Sequence, residues 1–167
     1  MHARPLVGER TLTWCDVDGP SLVLGSAQRD EVVAGTGLDV VRRRSGGGAV
    51  LLVPGQAVWA DVTIPAGDPL WETDVGRAFW WLGDVWAAAL GSLGVDAVVH
   101  RGPLVKSRWS QQVCFAGLGS GEVTVGGRKV VGISQRRTRA AALSFSDISS
   151  IVTSSLPARW PQRLGNC

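Results

Sequence analysis

At 167 residues, 45% hydrophobic and 19% charged, the chain fits one folded domain with a core of its own and reads as globular, which excludes a chain disordered throughout. A net charge of +3 admits an anionic partner, but no zinc-finger, basic-zipper or RNA-stacking pattern accompanies the arginines, so nucleic acid is not expected. No apolar run approaches the ~18 residues of a membrane helix, and the opening MHARPLVGER has no apolar signal core.

In chain order, residues 10–14 and 21–24 read as short strands parted by the turn signal Asp18-Gly19-Pro20. Short apolar pieces at 32–34 and 40–41 surround Gly35-Thr36-Gly37. Three arginines, Arg42-Arg43-Arg44, then run into Ser45-Gly46-Gly47-Gly48. Residues 49–53 and 57–64 read as strands on either side of Pro54-Gly55. The first half is therefore β-rich.

A helix is expected next. Asp68-Pro69 has the form of an N-cap followed by a first-turn proline, with Thr73 as a second candidate cap. From Val75 the apolar residues Phe79, Leu82, Trp86, Ala89, Leu90 and Leu93 fall on one helical face, and Gly94 is the expected stop. Trp80, Trp81 and Trp86 read as packing residues. Residues 95–99 read as a strand leading to His100, which reads as structural. The clearest hairpin is Glu122-Val123-Thr124-Val125, the turn Gly126-Gly127, and Arg128-Lys129-Val130-Val131. Beyond it, residues 144–155 are serine-rich and read as one weak helix, followed by a loop.

Cys15, Cys114 and Cys167 are odd in number and far apart, with no CxxC or Cys/His spacing. No disulfide framework or metal site is expected, and a reducing cytoplasm is the default setting. Cys15 lies in a predicted strand and reads as core.

Two stretches could carry chemistry. In RRRSGGGAV, glycine permits close backbone approach and arginine offers a fork of donors suited to carboxylate or phosphate. The stretch is either a loop that receives an anionic small molecule or a glycine turn with a solvated basic flank. In the hairpin, a two-residue turn pairs Val125 with Arg128 and Thr124 with Lys129. Strict alternation then puts Lys129 on one face with Val131 and Ile133. Both faces are mainly apolar, so Lys129 either snorkels out at the strand end or points at an anionic ligand held within the fold.

Taken together, RRRSGGGAV and, some eighty residues on, GGRKVVGISQRR resemble the catalytic domain shared by lipoate–protein ligases, biotin–protein ligases and related octanoyltransferases. Trp14 and Pro20-Ser21-Leu22-Val23-Leu24-Gly25-Ser26-Ala27-Gln28 are similar to that family's first strand pair. The resemblance implies an α+β fold with a mixed or antiparallel β-sheet and packed helices. It also implies that Arg43, Ser45, Gly46, Gly47, Gly48 and Gly132 line the acyl and nucleotide pocket. Lys129 would steady charge on the acyl group, with the arginines balancing the ligand's negative charge.

The function so implied is attachment of a lipoyl or octanoyl group to a lysine of a lipoyl-carrier domain through an acyl-adenylate. ATP, Mg²⁺ and lipoate or octanoate would be consumed or used, and an accessory subunit is a candidate partner. One alternative is an ATP-independent octanoyltransferase, in which Cys114 takes the acyl group from an acyl carrier protein. Another is an inactive module that binds a lipoyl-type ligand, and biotin is a further candidate substrate.

Departures from the family pattern are visible. Ligases carry a His-Asp pair shortly after the glycine strand, where this chain has Leu51-Leu52-Val53-Pro54-Gly55. The family's long N-terminal helix and the small C-terminal accessory domain of many ligases have no counterpart, so a domain shortened at both ends is expected. The match stops after Arg139, which divides the chain into a catalytic domain at 1–143 and a divergent or poorly ordered tail at 144–167.

Overall fold

A computed structural model describes residues 9–33, 35 and 37–148. Among them lie strands β1 (Thr11–Cys15), β2 (Ser21–Leu24), β3 (Asp39–Arg42), β4 (Val50–Leu52) and β5 (Val58–Pro65). Helix α1 (Trp80–Ser92) follows, then β6 (Val98–Val99), β7 (Val123–Val125), β8 (Arg128–Arg137) and β9 (Ala141–Ile148). The larger sheet has the order β1-β5-β9-β8-β7-β6, with every neighbouring pair antiparallel. The smaller sheet has β2 at its centre, parallel to β3 and antiparallel to β4. The architecture is α+β, as expected.

The large sheet separates two cores. On one face Ala60, Val62 and Ile64 of β5, Val130, Val131 and Ile133 of β8, and Ile148 pack against Leu82, Trp86 and Leu90 of α1. The i, i+4, i+8 spacing of those helical residues puts them on one stripe. On the other face Trp59 and Phe145 join Cys15, Val23, Val50 and Leu52. Cys114 and Phe115 pack onto that second cluster.

The helix begins later than expected. Asp68 accepts from Leu70 N–H at 2.8 Å and pairs with Arg10 at 2.7 Å, so it caps a turn. Glu72 and Asp74 likewise take the N–H groups of Asp74 and Gly76. These local acceptors compete with helical hydrogen bonds, and α1 starts only at Trp80. Its end is as expected: Gly94 has φ +79°, with Val95 N–H on Leu90 O and Gly94 N–H on Gly91 O, both 3.0 Å. That is a Schellman motif. Gly83 brings α1 against the 119–121 turn, since a Cβ there would lie 2.2 Å from Gly121 O.

Two expectations are corrected. Residues 144–148 are not helical; they are the second half of β9, hydrogen-bonded to β5 on one side and β8 on the other. The expected boundary at 143/144 therefore falls inside a central strand. Serines disguised it: Ser144 and Ser146 are fully buried, Ser144 accepting from Gln135 at 2.9 Å and Ser146 donating to Ala60 O at 3.2 Å. Residues 149–167, the rest of the expected tail, lie outside the described residues.

The second correction concerns the hairpin. Gly126 and Gly127 both have positive φ (55° and 75°), and Val125 pairs with Arg128 and Thr124 with Lys129, as expected. Val123, however, pairs with Val131, leaving Val130 as an extra residue in a bulge. Val130 and Val131 both join the helix-side core. Lys129 thereby shares the opposite face with Gly132 and Ser134, not with Val131 and Ile133.

Candidate active site

The glycine segment is the connection from β3 to β4. Those strands flank β2 on opposite sides, so residues 43–49 must cross the end of β2. The crossing is tight. A Cβ on Gly25 would lie 2.0 Å from Gly47 O, and Gly47 has φ +101°. Arg43 N–H binds Leu24 O and Ser26 N–H binds Ser45 O, each at 2.9 Å.

Arg43 is 2% exposed and turned inward. Its guanidinium donates to Gly46 O at 2.9 Å and Gly48 O at 2.8 Å. Arg42 binds the carbonyls of Gly25 and Gln28 and pairs with Asp30. The expectation that the arginines as a group balance a ligand's charge is thus corrected. Arg43 shapes the loop from beneath, while Arg42 and Arg44 are exposed, Arg42 being held by its partners and Arg44 standing at the loop surface. Gly46 and Gly47 form the exposed rim, and their N–H groups meet no protein acceptor among the described residues.

Beyond the crossing, the loop docks on a distant segment. Ala49 bridges Val113, with Ala49 N–H on Gln112 O at 2.7 Å and Cys114 N–H on Ala49 O at 3.0 Å. Gly48 permits this, because a Cβ would lie 2.5 Å from Val113 C and 2.6 Å from Cys114 N. Lys129 reaches the same place from β8: its Nζ donates to Cys114 O at 2.9 Å and stands 3.8 Å from Cys114 Sγ. The ammonium also faces the Phe115 ring, 5.2 Å from its centroid. Ser45 and Ser134 share a 2.8 Å hydrogen bond that ties the loop to β8. Gly132 leaves the space in which the Lys129 Cε and the Asp147 carboxylate lie, 3.3 and 2.7 Å from where a Cβ would be.

The candidate residues Arg43, Ser45, Gly46, Gly47, Gly48, Lys129 and Gly132 thus come together from two motifs far apart in sequence, with Cys114 joining them from the segment between. His100 does not join them; its Nε2 bonds Pro103 O at 2.9 Å. Two residues of the site were not foreseen. Glu122 pairs with Lys129 at 2.7 Å, the two side chains 7% and 5% exposed. Between Asp96 and Asp147 it is the sole acidic residue, and a buried lysine needs a partner, so the signal was available. Asp147, on β9, was hidden in the supposed tail.

Electrostatics distinguish the groups. Burial pushes the Cys114 thiol above its ordinary range, and the carboxylates of Asp147 and Glu122 add to the push while Lys129 opposes it. Burial also raises the Asp147 carboxyl to about 7, against the pull of Lys129 and Arg43. Among the described residues no group of three or more His, Cys, Asp or Glu could hold a metal ion. None of the helices among them is long and apolar enough to cross a membrane.

Residues 6–150 match the lipoyl protein ligase A/B catalytic domain family. No curated protein matches. Among solved structures, the fold is similar to protein Ta0514 from T. acidophilum with bound lipoic acid: TM-score 0.65, 18% identity, 84% of this chain and 54% of that one. It is similar also to a lipoate-protein ligase A bound with ATP: TM-score 0.63, 17% identity, 95% of this chain and 63% of that one. A third similar structure is a bi-partite lipoate protein ligase from Thermoplasma acidophilum, described with its E2 lipoyl domain: TM-score 0.61, 17% identity, 95% and 62% covered. This chain therefore spans between 54% and 63% of the length of these three structures. With its two motifs folded into one site and 6–150 matched, the chain belongs to the lipoyl protein ligase A/B catalytic-domain family.

Proposed function

We propose that this domain attaches a lipoyl or octanoyl group to a lysine of a lipoyl-carrier domain through an acyl-adenylate. The observation that carries the reading is the Lys129 ammonium, buried beside the glycine crossing and directed at the Cys114 carbonyl. A free carboxylate is a poor acyl donor. Attack of its oxygen on the α-phosphorus of ATP expels pyrophosphate and gives a mixed anhydride. The carrier amine then attacks the acyl carbon, the C–O bond to phosphate breaks, AMP leaves with the electron pair, and the amine sheds a proton. Lys129 serves as the fixed positive charge near the carbonyl oxygen on which negative charge develops.

The nucleotide's phosphates fit the exposed rim of the loop, where the Gly46 and Gly47 amides and Arg44 offer donors. Mg²⁺ would arrive on those phosphates, since the described residues offer no carboxylate cluster of their own. Against the octanoyltransferase alternative stands the Cys114 thiol. It is half-buried, and desolvation pushes it away from the thiolate form that attacks a thioester.

The test compares two incubations by intact mass. Lipoate, ATP, Mg²⁺ and a lipoyl-carrier domain should release pyrophosphate and modify one carrier lysine. Octanoyl-acyl carrier protein without ATP should leave Cys114 unmodified. An octanoyl adduct that disappears in Cys114→Ser would replace this reading with the transferase.

A further inference from the structure

Glu122 has no part in the chemistry just described, yet both of its carboxylate oxygens are engaged at the site. Its Oε1 accepts from Lys129 Nζ at 2.7 Å and from Ile133 N–H at 3.1 Å. Its Oε2 accepts from Gly119 N–H at 2.6 Å. One carboxylate therefore joins the lysine tip, the middle of β8 and the turn on which α1 rests. Ile133 N–H needs this acceptor because β7 begins at Val123, paired with Val131, and has no earlier residue to face it.

We propose that Glu122 is the positioning residue for Lys129: it sets the direction in which the ammonium is presented to the Cys114 carbonyl and the glycine crossing. The proposal rests on the role given to Lys129 above. A lysine side chain has freely rotating bonds and a strongly hydrated head, and on a buried face it holds one orientation only when a charged acceptor fixes it. Here that acceptor is itself fixed by two backbone N–H groups on separate segments. The bulge at Val130 turns Lys129 to the site face, and Glu122 meets it there from the residue preceding β7. Chain reversal at Gly126-Gly127 thus brings the aiming residue, just before β7, beside the aimed residue on β8.

The chain holds only two lysines, Lys106 and Lys129, and Lys106 is exposed. With ¹⁵N-lysine labelling, the full chain should therefore show one ordered, slowly exchanging side-chain ammonium signal, absent in Lys129→Met. Glu122→Gln, of nearly equal shape, should broaden or abolish that signal while thermal unfolding stays cooperative. In acyl transfer to the carrier, kcat should fall roughly 100-fold, as for a misplaced group, with KM for the acyl donor changed less than about threefold. Glu122→Asp should recover part of both losses. Should Glu122→Gln fail to fold, Glu122→Asp alone decides, through faster ammonium exchange and an intermediate kcat.

A Lys129 signal unchanged by either variant overturns the proposal, and so does a folded Glu122→Gln with wild-type kcat. If the signal depends on Glu122 but the wild type transfers no acyl group, the positioning stands and the proposed function fails instead.

Discussion

Gly48 is the residue on which the two motifs hinge, and Gly48→Ala tests that directly. The added Cβ would lie 2.5 Å from Val113 C, 2.6 Å from Cys114 N and 2.8 Å from Val113 N, all of them backbone atoms. Ordinary contact begins at 3.4 Å, so the 113–114 segment must retreat by about 0.9 Å. The Lys129 Nζ to Cys114 O hydrogen bond, now 2.9 Å, would lengthen by a similar amount and be lost. Overpacking of this kind costs about 1–3 kcal/mol, a drop in Tm of roughly 2–12 °C for a domain of this size. Misplacement by ~1 Å at a site costs about 100-fold in rate. The assay pairs thermal unfolding with acyl transfer, and Gly91→Ala on α1, away from the site, is the control. A Cβ at Gly91 meets nothing within 4 Å, and its φ is not in the left-handed region. Wild-type stability and rate in Gly48→Ala would refute the claim that the Gly48 contact holds the site together.

Lys129→Ala should cost about 2.7–4 kcal/mol of transition-state stabilisation, read as kcat/KM for acyl transfer. It should also lower stability, because Glu122 is left as a buried carboxylate without its partner. Asp147, raised to about 7, and Asp61, raised to about 6 by burial, hold their protons more tightly folded than unfolded. Stability should therefore fall as pH rises from about 4 to 7 and level off above that; Asp147→Asn should flatten this slope in thermal unfolding by on the order of 4 kcal/mol at most. Phe145→Ala should cost about 3–5 kcal/mol in denaturant unfolding, because the residue is buried in a strand paired on both sides. A cost below about 1 kcal/mol would deny β9 its place in the core.

Much of the site was legible in the sequence because glycine and turn chemistry are local. Gly126-Gly127 set the hairpin register, and the run from Arg42 to Gly48 marked a backbone under close contact. What escaped was decided by tertiary partners. The bulge at Val130 has no local signature, and it reversed the face assigned to Lys129. The arginine triplet reads as one basic patch, but its members part company: Arg43 holds loop carbonyls and Arg42 pairs with Asp30. β9 escaped because its buried serines find acceptors and donors across the sheet, which no periodicity of apolar residues can reveal. Asp68 and Thr73 looked like helix caps, but Asp68, Glu72 and Asp74 hold turns there instead.

The central claim is that Lys129, and not Cys114, carries the acyl chemistry. Single-turnover transfer from preformed lipoyl-adenylate to a lipoyl-carrier domain, followed by intact mass in wild type, Lys129→Ala and Cys114→Ser, tests it most directly. The carrier should be modified by wild type and by Cys114→Ser at comparable rates, and roughly 100–1000-fold more slowly by Lys129→Ala. Transfer that survives Lys129→Ala but stops in Cys114→Ser would contradict it.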